Sequence, residues 1–150
     1  TEYIQNKNKI FTRTFELGGH KFRVRIPYVH ESDEIYKRIN DPDAQAVEKA
    51  YQAMVEPLKE IENAETVFEF KDDDVLIDGR SIREAAKQKI QVETKITEYV
   101  KLLVPEIEGE SLENLTYAEI EAEFPMAVQL QLLEKISEAI SPTYKETRGN

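Results

Sequence analysis

Cysteine and tryptophan are absent from this 150-residue chain, and histidine occurs twice. Without cysteine there are no disulfides and no thiolate zinc sites, a composition that fits a reducing cytoplasm. No run of about 18 apolar residues occurs, so no segment reads as a membrane-spanning helix. The opening stretch TEYIQNKNKIF carries no secretory apolar region. Catalytic signatures are missing as well: the chain has no Gly-x-Ser-x-Gly, no His-Glu-x-x-His and no Walker-type glycine loop. Lys or Arg is absent from residues 105 to 125, which hold seven Glu.

What is present is acidic and patterned. The net charge is −10, but residues 1 to 30 carry a net +4, which leaves −14 on the remaining 120 residues. An acidic bulk repels phosphate backbones and acidic membranes, so nucleic acid and membranes are not expected partners; a basic protein partner suits it better. The length is that of one ordinary domain, able to bury a core without staples.

Residues 10 to 28 alternate apolar and polar, which predicts a β-hairpin turning at Gly18-Gly19. The register this gives sets Phe15 opposite Phe22, Phe11 opposite Ile26 and Glu16 opposite Lys21. One face is then apolar. The other carries Thr12, Thr14, Glu16, Lys21, Arg23 and Arg25. His20 falls at the turn and His30 beyond the open end, roughly 26 Å apart by strand rise, so the two cannot share a metal or a proton relay.

Beyond Pro27, residues 31 to 64 read as helices. A short one is capped by Ser32 and broken at Asp41-Pro42, with Pro42 opening the next. The second has a seam of Val47, Tyr51, Met54, Leu58 and Ile61, divided by Pro57. Residues 66–78 predict a second small hairpin with a Lys-Asp-Asp-Asp loop, Phe68 and Phe70 sharing a face with Val75 and Ile77. Ser81 and Glu84 form a capping box for a long helix over 81–104, whose apolar stripe is interrupted by Lys89 and Glu93, spaced to pair. Acidic residues around Asp78-Gly79 suggest a calcium loop, but with Gly79 sixth the third and twelfth ligand positions are Leu76 and Ala85, so calcium is rejected. Thr116 and Glu119 form another capping box, and helices occupy 116–141 ahead of a polar tail, 142–150. The fold class is therefore α+β: a predominantly α-helical single domain, 1–150, with an N-terminal β-hairpin and a second small hairpin. No catalytic residue, cofactor or metal is expected.

The last helix raises the functional question. Its apolar residues, Leu132, Leu133, Ile136 and Ile140 among them, cover an arc of about 200°, where a surface helix needs little more than 100°. Packing against two neighbours within the domain explains this, and so does an exposed face for a partner helix or a second subunit. Both readings are open at this point.

The basic hairpin running into an acid-led helix, FELGGHKFRVRIPYVHESDEIYKRIND, and the later stretch LENLTYAEIEAEFPMAVQLQLLEKISEAI together resemble the tail assembly chaperones of long, non-contractile-tailed bacteriophages. The likeness covers most of the chain by overall pattern and rests on no catalytic motif. It implies a non-enzymatic protein of the infected host's cytoplasm that coats the tape measure protein, recruits tail tube subunits and is absent from the mature virion. A virion component, such as a head–tail joining or tail-terminator protein, is the alternative. Many members of that family are made in two lengths through a −1 ribosomal frameshift, and Arg148-Gly149-Asn150 is compatible with a slippery heptamer G-GGA-AA(C/U). The surfaces expected to bind protein are the basic face, Lys21, Arg23 and Arg25, and the last helix at Leu132, Ile136 and Ile140, with self-association as a further expectation.

Overall fold

The computed structural model describes residues 11–141. Ile10, the tail 142–150 and the proposed frameshift site at Gly149-Asn150 lie outside the described residues. In order, the elements are β1 (Thr12–Leu17), β2 (His20–Arg25), α1 (Val29–Asn40), α2 (Ala44–Val55), a 3₁₀ turn (Glu56–Glu60), α3 (Ala64–Val67), β3 (Phe68–Phe70), β4 (Val75–Ile77), β5 (Arg80–Ser81), α4 (Ile82–Val100), α5 (Tyr117–Glu123) and α6 (Met126–Ile140). This is a mostly helical α+β chain with a two-stranded hairpin and a three-stranded sheet. Among the described residues, two compact units are distinguished: one joins 11–35 with 95–141, and the other is Tyr36–Thr94.

In the first unit, β1 and β2 pair antiparallel with Phe15 opposite Phe22 and Glu16 opposite Lys21, the predicted register. Gly18 and Gly19 turn the chain at φ 60° and 80°, backbone that strains any residue carrying a Cβ. The Ile26 N–H donates to the Phe11 carbonyl at 2.7 Å and carries the ladder one step beyond the strands. Alternation sorts the faces: Val24 is fully buried, whereas Thr14, Glu16, Lys21 and Arg23 are exposed. α6 packs on this hairpin and α5 packs on α6. Leu132, Ile136, Ile120, Ile96 and Val100 are among the buried apolar residues of this unit.

Two boundaries differ from the sequence reading. α1 begins at Val29, a turn before Ser32, whose N–H donates to the Tyr28 carbonyl at 2.9 Å; Ser32 is therefore inside the helix and not its cap. α4 ends at Val100 and not near Val104. Leu102–Val104 instead line the outer edge of β2: the Arg25 N–H donates to the Leu102 carbonyl and the Val104 N–H to the Arg23 carbonyl, each at 2.8 Å. The edge of β2 has backbone groups that need partners, and Pro105 disfavours helical backbone in the residue before it.

The second unit gathers Tyr51, Val55, Ala64, Phe68, Val75 and Ala86 into one core. Asp43 caps α2 through a hydrogen bond from the Ala46 N–H at 3.0 Å, so Pro42 precedes the cap and does not open the helix. Pro57 divides the expected helix as its missing N–H predicts: α2 stops at Val55 and a 3₁₀ turn follows. Ile61, placed by periodicity in the apolar seam, is 44 % exposed beyond that break. The β3–β4 hairpin has the expected pairing of Phe70 with Val75 and Phe68 with Ile77. A third strand, β5, follows a two-residue turn in which Asp78 and Gly79 both take positive φ.

Candidate protein-binding site

The basic face of the first hairpin carries Lys21, Arg23 and Arg25 along one strand, as period-two alternation requires. The three differ in their freedom. Arg25 grips Glu31 at the start of α1 through two parallel hydrogen bonds, each 2.8 Å. The bidentate bond raises the Arg25 guanidinium further above its ordinary value and holds the Glu31 carboxyl below the usual carboxylate range. Lys21 is exposed opposite Glu16 in the register. Arg23 is exposed too, and among the described residues no carboxylate pairs with it.

Two clefts meet at Arg23. One, of about 440 Å³, is lined by Phe11, Arg23, Arg25, Ile26, Tyr28 and Val104, and also by Thr12. The other, of about 480 Å³, runs toward the turn past Lys21, Phe22, Pro105 and Leu112. Arg23 and Val104 belong to both, so the basic strand and the segment beside it form one groove. The Phe11 and Tyr28 rings lie 5.9 Å apart, and His30 stacks on Tyr28 at 6.0 Å. His20 sits at the turn with Nε2 2.6 Å from the Glu106 carboxylate. Among the described residues no group of three or more His, Asp or Glu could hold a metal ion.

The last helix corrects part of the expected contact surface. Leu132 and Ile136 are 1 % and 0 % exposed. They belong to the core and cannot meet a partner in this fold; Ile140 is half-buried at its edge. The broad apolar arc separates into two stripes. The inner one contains Leu132 and Ile136 with Gln129, a polar residue buried to 1 % exposure and fully bonded: its Oε1 accepts from the Tyr117 hydroxyl and its Nε2 donates to the Phe124 carbonyl, each at 2.8 Å. The outer one contains Met126 and Leu130, four residues apart on one helical face and 49 % and 47 % exposed. Leu133, half-buried, lies between the stripes. Gln129 lies on the inner stripe at spacings of three and seven from Leu132 and Ile136.

In the second unit the acidic run before Asp78-Gly79 does structural work. Asp74 accepts hydrogen bonds from the Val75 N–H at 2.7 Å, the Ser81 hydroxyl at 2.5 Å and the Arg83 N–H at 3.0 Å. Burial pushes its carboxyl up, but the bonds from Ser81, Arg83 and Val75 outweigh this and hold it below the usual range. Ser81 in turn accepts from the Glu84 N–H at 2.9 Å, one of the two bonds of the predicted capping box. Arg83 bonds Glu48 and stacks its guanidinium 3.9 Å from the centre of the Tyr51 ring. Lys89 and Glu93 pair along α4, with Lys89 largely in solvent. These contacts join loop, helix start and core.

No protein-family model, curated protein or solved structure matches the chain.

Proposed function

We propose that the protein is a tail assembly chaperone of a long, non-contractile-tailed bacteriophage, a non-enzymatic protein that binds the tape measure protein and recruits tail tube subunits. The observation that carries this reading is the outer stripe of α6. Met126 and Leu130 stay about half exposed while the same helix anchors its neighbouring stripe in the core. Apolar anchors four residues apart on a rigid helix are the usual means of gripping a partner helix. The basic groove on the first hairpin offers a second contact of different chemistry, set in a chain that is otherwise strongly acidic. Among the described residues no helix is long and apolar enough to cross a membrane. The reading places the protein in the host bacterial cytoplasm and allows self-association through the same outer stripe.

Affinity capture of the tagged protein from phage-infected cells, with mass spectrometry of purified virions, tests the reading. The expected result is co-capture of the tape measure protein and absence of this chain from virions. Its recovery from virions in structural amounts would overturn the reading in favour of a head–tail joining or tail-terminator component.

A further inference from the structure

The groove on the basic face has a chemistry of its own. At its centre is Arg23, exposed and without a carboxylate partner among the described residues. Arg25 beside it is already neutralised and held still by Glu31. The cleft therefore presents one free guanidinium against a fixed wall, rather than a field of mobile charge. The remaining lining is Thr12 with the apolar or aromatic Phe11, Ile26, Tyr28 and Val104. Its volume, about 440 Å³, lies within the range of small-ligand pockets.

We propose that this cleft binds a carboxylate carried next to an apolar side chain, as an acidic–apolar segment of a partner protein presents it. The guanidinium takes the carboxylate through its parallel N–H groups, and the Phe11–Tyr28 side takes the neighbouring apolar group. Charge selects a protein ligand over nucleic acid. The −14 carried by residues 31 to 150 repels a polyphosphate in proportion to its many charges, but a segment with one or two carboxylates only slightly. The proposal rests on reading this face as a protein contact and names the ligand it takes.

The test is titration of the full ¹⁵N-labelled chain, followed by amide and arginine Nε–H shifts. The probes are N-acetyl-phenylalaninate, with its carboxylate at a chain end; N-acetyl-glutamyl-phenylalaninamide, with its carboxylate on a side chain; neutral N-acetyl-phenylalaninamide; and a ten-residue oligothymidylate. Saturable shifts at Arg23, Tyr28 and Val104 with a carboxylate probe are expected, roughly tenfold or more weaker with the neutral amide. Whichever carboxylate probe binds more tightly identifies a chain end or a side chain as the source. Arg23→Gln is expected to abolish those shifts with the rest of the spectrum unchanged, and Arg23→Lys to restore only part of the affinity. Equal binding of the neutral probe, no saturable shift at these residues with either carboxylate, or tighter binding of the oligothymidylate overturns the proposal. The titration reports on the cleft alone, so it can fail while capture of the tape measure protein succeeds, and the reverse.

Discussion

Replacing Asp74 with Ala removes the acceptor for three hydrogen bonds in a single step. The Arg83 N–H is one of the donors at the start of α4 that have no partner within the helix, so Asp74 caps that helix from the preceding hairpin while Ser81 caps the next N–H. Loss of a cap costs about 1 kcal/mol, and hydrogen bonds to an ionised acceptor contribute about 1.5–3 kcal/mol each when well sheltered. Because the site is only partly buried, water replaces part of the loss, and we expect about 2–3 kcal/mol in total. Asp74→Asn keeps the oxygen that serves the two N–H groups and is expected to cost about 1 kcal/mol. Urea unfolding followed by far-UV circular dichroism measures both. The pH dependence has a fixed sign. The folded carboxyl is held below its unfolded value, near 3.9, so the wild-type advantage over Asp74→Ala is fully present above about pH 5 and shrinks as pH falls through the folded value. A cost below about 0.5 kcal/mol at pH 7, or an advantage that grows on acidification from pH 5 to 3, would refute the assignment.

Other perturbations have equally definite outcomes. Gln129→Leu removes the hydrogen bonds to the Tyr117 hydroxyl and the Phe124 carbonyl at the α5–α6 junction, and thermal unfolding is expected to show a loss of about 1–3 kcal/mol, with Gln129→Glu at least as harmful at pH 7. Glu31→Gln breaks the fork on Arg25, and the Arg25 Nη–H resonances are expected to lose their slow exchange with water while stability falls by at most about 1 kcal/mol, both readable in one nuclear magnetic resonance series.

The parts of the fold visible in the sequence are those set by local rules. Period-two alternation around two glycines gave the first hairpin its register, and the Thr116–Glu119 box appears with both of its hydrogen bonds at the start of α5. Pro57 broke its helix because a missing N–H acts wherever it falls. β5 was equally legible: Asp78-Gly79 is a two-residue hairpin turn with positive φ at both positions. What local rules could not supply depends on distant partners. Leu102–Val104 have the composition to extend α4 and leave it because β2 has an open edge. The 200° arc of α6 could not be divided from sequence, since the same apolar side chain is core or surface according to what packs on it. The structure assigns Leu132 and Ile136 to the interior and leaves Met126 and Leu130 outside. Of the basic face, alternation revealed the three cations but not that Arg25 is already satisfied by Glu31.

The most direct test of the account compares the two stripes of α6 in one assay. Met126 and Leu130 replaced together by Asp are expected to leave the urea midpoint within about 0.5 kcal/mol of wild type and to reduce capture of the tape measure protein at least tenfold. Leu132→Asp is expected to unfold the unit, because an uncompensated carboxylate in a fully buried site costs more than about 4 kcal/mol. A Met126–Leu130 double variant that folds and still captures the partner at wild-type strength would contradict the assignment of the outer stripe as the contact surface.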